Sequence, residues 1–559
     1  MNGVTDINVA RIRAVHVFVV PLVLAVFAVL HLHEEWKVAG AFGFPLDDAW
    51  IHCQFARNLA RGHGMSYNPG VAMSGSTAPL WTFLLAGSYF VSSNLILTSK
   101  VMSLVLYALS SVLVFKILVF ILDDARFAFL GAVFLAMLAR LMWGALSGME
   151  IMLSTFLTVG GVYLHLIYRR ERGLKHYAST VAFVLASLAR PESMQLVFVA
   201  LVDSFVLGRI EKSESIAEFA KRAVIHVLVF LLLLTPYFAF NYATSGQPFP
   251  NTFAAKTSAG LTVFLSHPQV GELWRMIFLY PRLYVAGLFS FSFDQNILLY
   301  WLMFVGATRI VINSFRQKTV NKALIVPLIF VSYPVFMGIV SPNRSTITWM
   351  VRYVGNMTPL YVIMGVVGLY ECVRLLKTVL AEFWFKEETA ERIKHAILSI
   401  AVVILLISLS TEEYVNSRFY ALGVNNINSM QVKIGKWFHE NSPPDTLLAI
   451  NDIGAIAYFS EREVLDLVGL ITPEVLPYRT KQDGIFEFVA LKKPAYVIIF
   501  DEWFPGLSDH KELTRLFDVS LETNAVCGKS VMVIYETEWR RKRPSTTAEA
   551  SLQEKEHSF

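Results

Sequence analysis

Two adjacent carboxylates, Asp47 and Asp48, stand in the densest polar block of the chain, Phe44-Pro45-Leu46-Asp47-Asp48-Ala49-Trp50-Ile51-His52-Cys53-Gln54-Phe55-Ala56-Arg57-Asn58-Leu59-Ala60-Arg61. Side by side at the lip of a membrane cavity they repel each other. That raises one pKa and suits the pair to act as a general base or to hold a cation. The block itself reads as an amphipathic helix from Asp48 to Arg61. Ile51, Phe55, Asn58 and Leu59 recur at i, i+4, i+7 and i+8, with His52, Arg57 and Arg61 elsewhere, so the helix is expected at the membrane surface. Either aspartate could instead be its N-cap, which accounts for one carboxylate and not easily for both. His52 and His63 could ligate a metal or simply face water. Gly62-His63-Gly64 is too short for a dinucleotide fingerprint and follows no strand.

Further along, Glu150 opens an apolar segment with no adjacent basic partner, which is costly unless the group is used or solvated. Arg190 and Glu192 flank Pro191 at a tight turn and could pair with each other or serve a site. Lys256, Arg344 and Arg352 could bind a phosphate or merely meet anionic headgroups.

The elements that must position these residues are set by composition. Of 559 residues, 55% are apolar and 16% charged, against about 45–50% and about 25% in soluble domains. That excludes a soluble multidomain enzyme and a disordered chain, and predicts a polytopic membrane protein. Three cysteines provide no disulfide framework or thiolate cluster. The net charge of +5 reads as loop charge orienting spans, with no nucleic-acid partner. Spans are expected near 14–30, 101–122, 127–143, 150–168, 177–191, 193–208, 222–243, 296–312, 323–341, 354–375 and 395–410. Residues His31 to Trp36 offer no small-residue cleavage site, so the first span is expected to be retained, with its N-terminus cytoplasmic.

Basic connections at 168–175, 208–222, 309–322 and 374–394 read as cytoplasmic. A full crossing by 79–97 would put the first of these outside. Residues 79–97 are therefore expected to dip into the outer interface, leaving eleven crossings in domain 1–410. The first outer loop is 32–98. From 411 to 539, strands at 444–450, 495–500 and 530–535 alternate with helices near 428–440 and 511–517, an extracytoplasmic α/β domain. Residues 540–559 form a basic, then polar tail expected to be disordered.

The blocks Leu46-Asp47-Asp48-Ala49-Trp50-Ile51, Arg57-Asn58-Leu59-Ala60, Tyr67-Asn68-Pro69-Gly70 and Ser76-Thr77-Ala78-Pro79-Leu80-Trp81 resemble the first outer loop of C-type membrane glycosyltransferases (the GT-C fold). The resemblance is greatest to the branch of mycobacterial terminal arabinofuranosyltransferases. Weaker pieces agree in order: Ser147-Gly148-Met149-Glu150, Arg190-Pro191-Glu192, Pro250 to Lys256, Arg352-Tyr353 and Asn451-Asp452-Ile453-Gly454-Ala455-Ile456. Ala72-Met73-Ser74 departs from the polar stretch expected there, and His52-Cys53-Gln54 lacks an arginine common near Cys53.

The resemblance implies an α-helical polytopic enzyme of the plasma (inner) membrane that transfers a sugar with inversion. The donor would be a polyprenyl-phosphate sugar and the acceptor a cell-envelope glycan or glycolipid at the extracytoplasmic face, with arabinofuranose as a candidate sugar. It makes Asp47 the leading base with Asp48 next. It assigns Lys256, Arg352, Arg344 and Arg57 to the donor phosphate, and Glu150, with Arg190, Glu192 and His52, to support or to a divalent cation, Mg or Mn. Two other classes compete. A secondary transporter suits many spans but would show paired broken helices and intramembrane charges. A non-catalytic binder of lipid-linked sugar would keep the cations without needing both aspartates.

Overall fold

The computed structural model describes residues 2–171, 173–256, 260–266, 268–316, 321–340 and 353–541. The first eleven helices are α1 (Asn2–Ala39), α2 (Asp48–Ala60), α3 (Pro79–Tyr89), α4 (Leu95–Leu122), α5 (Ala125–Ala136), α6 (Ala139–Leu146), α7 (Ile151–Tyr168), α8 (Ala178–Ala189), α9 (Gln195–Glu211), α10 (Ile216–Ser245) and α11 (Asn251–Lys256). Each of the eleven segments expected to cross contains helix among the described residues. Among the described residues, eight helices are long and apolar enough to span a bilayer, and nine if α5 and α6 form one span bent by 54°.

One expected span falls short: α8 has 12 residues before the helix ends at Arg190. Of the span expected at 323–341, the described helix is Ile325–Val340, 16 residues. The expected span 127–143 is corrected to the bent pair, because Met137 and Leu138 leave helical geometry and Leu138 is extended. α3 has 11 residues, about 16 Å of rise against about 30 Å of hydrocarbon, so it cannot cross. Between the spans expected at 222–243 and 296–312, the described residues include the helices Asn251–Lys256, Leu261–Ser266, Val270–Trp274 and Tyr280–Gln295, the last packed on Ile325–Val340.

A buried ion pair ties the first span to the rest. Lys100 Nζ donates to both oxygens of Glu35 at 2.7 and 2.8 Å, while Gly43 N–H and Tyr420 O–H donate to the same carboxylate at 2.8 and 3.2 Å. Glu35→Gln strands the buried ammonium and is expected to cost about 3–5 kcal/mol. The thermal unfolding midpoint in detergent measures this, with Glu35→Gln/Lys100→Met milder than Glu35→Gln alone.

The helix Glu387–Ile427 runs 41 residues, past the boundary expected at 411. Beyond it lies a five-stranded sheet in the order β2-β1-β3-β5-β4, with β1 (Leu447–Ile450), β2 (Glu463–Asp466), β3 (Tyr496–Ile499), β4 (Leu513–Ser520) and β5 (Val531–Thr537). β1 is parallel to β2 and β3, while β5 is antiparallel to β3 and β4. The helix expected at 511–517 is corrected to edge strand β4. Its register slips between Arg515 and Phe517, which breaks the period-two pattern that would have marked it.

The outer domain does not close its own core. Phe55 and Tyr67 of the first outer loop pack among Ile434, Phe438, Leu448 and Ile450. At the free edge of β2, the Asn68 carboxamide donates to Val464 O at 2.9 Å and accepts from Val464 N at 3.1 Å, standing in for a neighbouring strand. α2 is therefore buried between bundle and outer domain, on nine of its residues from Ala49 to Asn58, and the expectation of a surface helix is corrected.

Candidate functional site

Asp47 and Asp48 sit at the start of α2, and Asp47 is formally its N-cap, but the Asp47 side chain does not cap it. The carboxylate reaches across to the outer domain. Gly454 N–H donates to Oδ2 and Ala455 N–H to Oδ1, each at 2.7 Å. These are the first amides of the short helix Ala455–Ser460. The loop that carries them also brings Asp452, whose carboxylate accepts from Gln431 Nε2 at 2.8 Å and Asn451 Nδ2 at 3.1 Å.

Three aspartates thus meet where the first outer loop and the outer domain touch. Burial pushes Asp47 up to about 8, helped by the charges of Asp452 and Asp48 and opposed by the two amides. Burial likewise lifts Asp452 to about 6, with Gln431 and Asn451 pulling down and Asp48 pushing up. Sequence reasoning noted the segment 451–456 only as a resemblance. Its acid becomes legible as part of a site only once the fold sets it beside Asp47, some 400 residues away in the chain.

Both acids hold their protons more tightly folded than unfolded. Stability therefore falls as pH rises from the ordinary carboxylate range, near 4, through about 6 and about 8. The unfolding midpoint is expected to be lower at about pH 8.5 than at about pH 5, and Asp452→Asn should flatten the decline.

A second line of polar groups runs from α2 into the bundle. His52 is four residues after Asp48, on the same helix face. Its Nε2 lies 3.1 Å from Glu150 Oε2. Arg190 Nη1 donates to Glu150 Oε1 at 2.7 Å and Arg190 Nη2 to Glu192 Oε1 at 2.9 Å. The Arg190 guanidinium stands 5.1 Å from the Tyr353 ring centroid. Glu150 is 4% exposed and Arg190 5%, so the reading of Glu150 as a water-facing carboxylate is corrected: it is held between two partners. The expected pairing of Arg190 with Glu192 is present and is extended by Glu150.

Gly148 makes the turn that delivers Glu150. Its φ is +77°, and a Cβ there would meet the Phe44 ring at 2.4 Å. Along this line His52 Nδ1, Arg190 Nε, Glu192 Oε2 and Ser193 Oγ are buried with no hydrogen-bond partner within the protein.

The expected cations divide. Arg57 belongs to the domain junction: it donates to Glu461 Oε1 and Tyr458 O, both at 2.9 Å, and lies 4.2 Å over the Tyr458 ring. It is not brought to the Glu150 line. Lys256 ends α11, whose start is pinned to the first outer loop. Asn251 N–H donates to Ser74 O at 2.7 Å and Thr252 Oγ1 to Gly75 O at 2.6 Å. Arg344 and Arg352 lie outside the described residues. Among the described residues no three His, Cys, Asp or Glu side chains converge as a metal site. Glu150, expected to help hold Mg or Mn, is engaged by His52 and Arg190, so these residues do not fit a divalent cation there.

The outer part of the chain, residues 425–547, matches a domain of unknown function, DUF8728. No curated protein matches the chain. Solved structures do. ArnT from Cupriavidus metallidurans in the apo state is 14% identical with a TM-score of 0.56, covering 93% of this chain and 99% of that one. The same protein bound to undecaprenyl phosphate gives 13% and 0.56 over the same shares. The archaeal oligosaccharyltransferase AglB from Archaeoglobus fulgidus, in complex with an inhibitory peptide and a dolichol-phosphate, is 11% identical with a TM-score of 0.57, over 87% of this chain and 70% of that one. At these identities the likeness is one of fold: a C-type membrane glycosyltransferase architecture with a small outer sheet domain.

Proposed function

We propose that this chain is a membrane glycosyltransferase that moves a sugar from a polyprenyl-phosphate donor to a hydroxyl of a cell-envelope glycan or lipid, at the extracytoplasmic face of the inner membrane. The observation that carries the reading is the convergence of Asp47, Asp48 and Asp452 at the junction of first outer loop and outer domain. The fold supports it, being shared with ArnT and AglB, which have been solved with undecaprenyl phosphate and dolichol-phosphate. The first-loop resemblance favours arabinofuranose as the sugar. The basic connections favour a cytoplasmic N-terminus and an outward-facing site.

In this reading Asp47 fixes the loop against the outer domain, and Asp48 takes the proton of the acceptor hydroxyl. The freed oxygen attacks the anomeric carbon, the bond from that carbon to the phosphate oxygen breaks, and lipid phosphate leaves with the electron pair. One displacement inverts the anomeric centre. The donor is already activated, so the protein has to orient it, remove a proton and neutralise the phosphate. Lys256, Arg344 and Arg352 are assigned to that last task. Arg190, held by Glu150 and Glu192, is assigned to orienting the donor.

The test is transfer of a labelled sugar from a polyprenyl-phosphate donor by the protein in vesicles. Product whose formation requires Asp48 supports the reading. Solute uptake without any glycoside product, unchanged in Asp48→Asn, would make the chain a transporter. Donor binding without turnover would make it a carrier of lipid-linked sugar.

A further inference from the structure

The charges at the other end of the bundle have no part in the site above. α7 leaves the site just after Glu150, and its 18 residues carry the chain about 26 Å to Tyr168. The connection after it, the end of α9 and the start of α10 therefore lie a full span away from the aspartates.

There they enclose a cavity of about 510 Å³. Arg169, Arg170, Lys212 and Arg222 line it against Glu211 and Glu214. Arg169 Nη2 donates to Glu211 Oε1 at 3.0 Å and Arg170 Nη2 to the same oxygen at 2.7 Å, while Arg222 Nη2 lies 2.6 Å from Glu214 Oε1. Behind them Lys322 is fully buried, with Nζ 3.7 Å from Glu211 Oε1 and no hydrogen-bond partner within the protein. Five cations therefore gather round two carboxylates. His176, 7% exposed, also lines the cavity, and its Nδ1 has no partner within the protein.

Orientation of the spans accounts for basic residues in these connections, but not for their gathering round a cavity, large enough for a headgroup, with buried donors left unpaired. The rest of its wall mixes Leu201, Ile210, Phe219 and Ala223 with Ser204, Ser213 and His226. The outer surface just beyond is apolar, with Val224 56% and Leu228 58% exposed on α10. Phosphate chemistry beside an apolar flank at the depth where spans end matches a lipid more closely than a soluble anion. Basic pockets between helix ends are a known means of holding anionic headgroups.

We propose that this cavity binds the headgroup phosphate of an anionic phospholipid, at the opposite membrane face from the aspartates. The test uses the full chain purified in detergent, titrated with phosphatidylglycerol, with phosphatidylcholine or with inorganic phosphate, and followed by thermal unfolding and by native mass spectrometry. Phosphatidylglycerol should bind and raise the unfolding midpoint; phosphatidylcholine should not. Arg170→Gln/Lys212→Gln removes two exposed cations and leaves Glu211 paired with Arg169. Each basic group near an anionic surface contributes about fivefold, so affinity should weaken about 25-fold. Equal binding of phosphatidylcholine, or affinity unchanged in the double variant, would overturn the proposal. Stabilisation by inorganic phosphate alone, with none by phosphatidylglycerol, would make the cavity a free-phosphate site and overturn the lipid assignment.

Discussion

Gly454→Ala is expected to uncouple the outer domain from the first outer loop and to lower sugar transfer at least about 100-fold, the scale of loss that a 1 Å misplacement of a catalytic group can cause. A Cβ at this position would fall 2.0 Å from the Asp47 carbonyl oxygen and 2.7 Å from its Cγ and Oδ2. Those neighbours are a backbone atom and a carboxylate fixed by two amides, so neither can swing away. Gly454 has φ −72°, outside the left-handed region, so the penalty expected for alanine comes from the contact of its Cβ with Asp47. Overpacking costs about 1–3 kcal/mol, and each hydrogen bond lost to a charged group about 1.5–3 kcal/mol. The expected result is a lower unfolding midpoint together with a large loss of turnover. Gly87→Ala is the control, since nothing lies within 4 Å of its added Cβ and alanine is the better helix former. Full activity in Gly454→Ala would show that Asp47 need not touch the outer domain for the enzyme to work.

The same contact explains what could and could not be read from residues alone. Hydropathy marks where apolar runs lie, and each of the eleven expected segments contains helix among the described residues because in hydrocarbon a helix satisfies its own backbone. It is silent about a break within a run. Met137 and Leu138 are as apolar as their neighbours, yet the helix turns there by 54°. Three strands of the outer sheet were legible as β-branched or aromatic runs. β2, Glu463-Val464-Leu465-Asp466, is bounded by a carboxylate at each end and shows no apolar run, and β4 had its alternation interrupted by a bulge. Asp47 and Asp48 stood out because they lie in the densest polar block of the chain, at the start of an amphipathic helical pattern. Asp452 did not, because nothing in Asn451-Asp452-Ile453-Gly454 distinguishes a site acid from a turn acid. Likewise, helical periodicity set His52 and Arg57 together off the apolar stripe of a helix expected at the membrane surface. Only tertiary packing turns His52 towards Glu150 and Arg57 towards Glu461.

Asp48→Asn and Asp47→Asn should fail differently. If Asp48 is the base, its amide variant loses the 10²- to 10⁴-fold that general base catalysis contributes, about 100- to 10,000-fold in kcat, with folding and donor binding intact. Asp47→Asn replaces one of the two oxygens that accept from Gly454 and Ala455 at 2.7 Å each with an amino group that would face an N–H donor. It should lower the unfolding midpoint as well as the rate, as Gly454→Ala does, because the acceptor is lost from the other side of the same contact. The pH profile separates the roles further. Asp47 and Asp452 sit near 8 and near 6, so these two carboxyls lose their protons across the neutral range. Each proton lost from the cluster makes Asp48 a stronger base by adding negative charge beside it. Transfer is therefore expected to rise with pH between about 6 and about 8, over the same interval in which thermal stability falls. Asp452→Asn removes one of those neighbouring charges and should lower activity most at the alkaline end. If activity fell with rising pH in step with stability, Asp48 would not be acting as a base, and the cluster would be holding the two domains together and doing no chemistry.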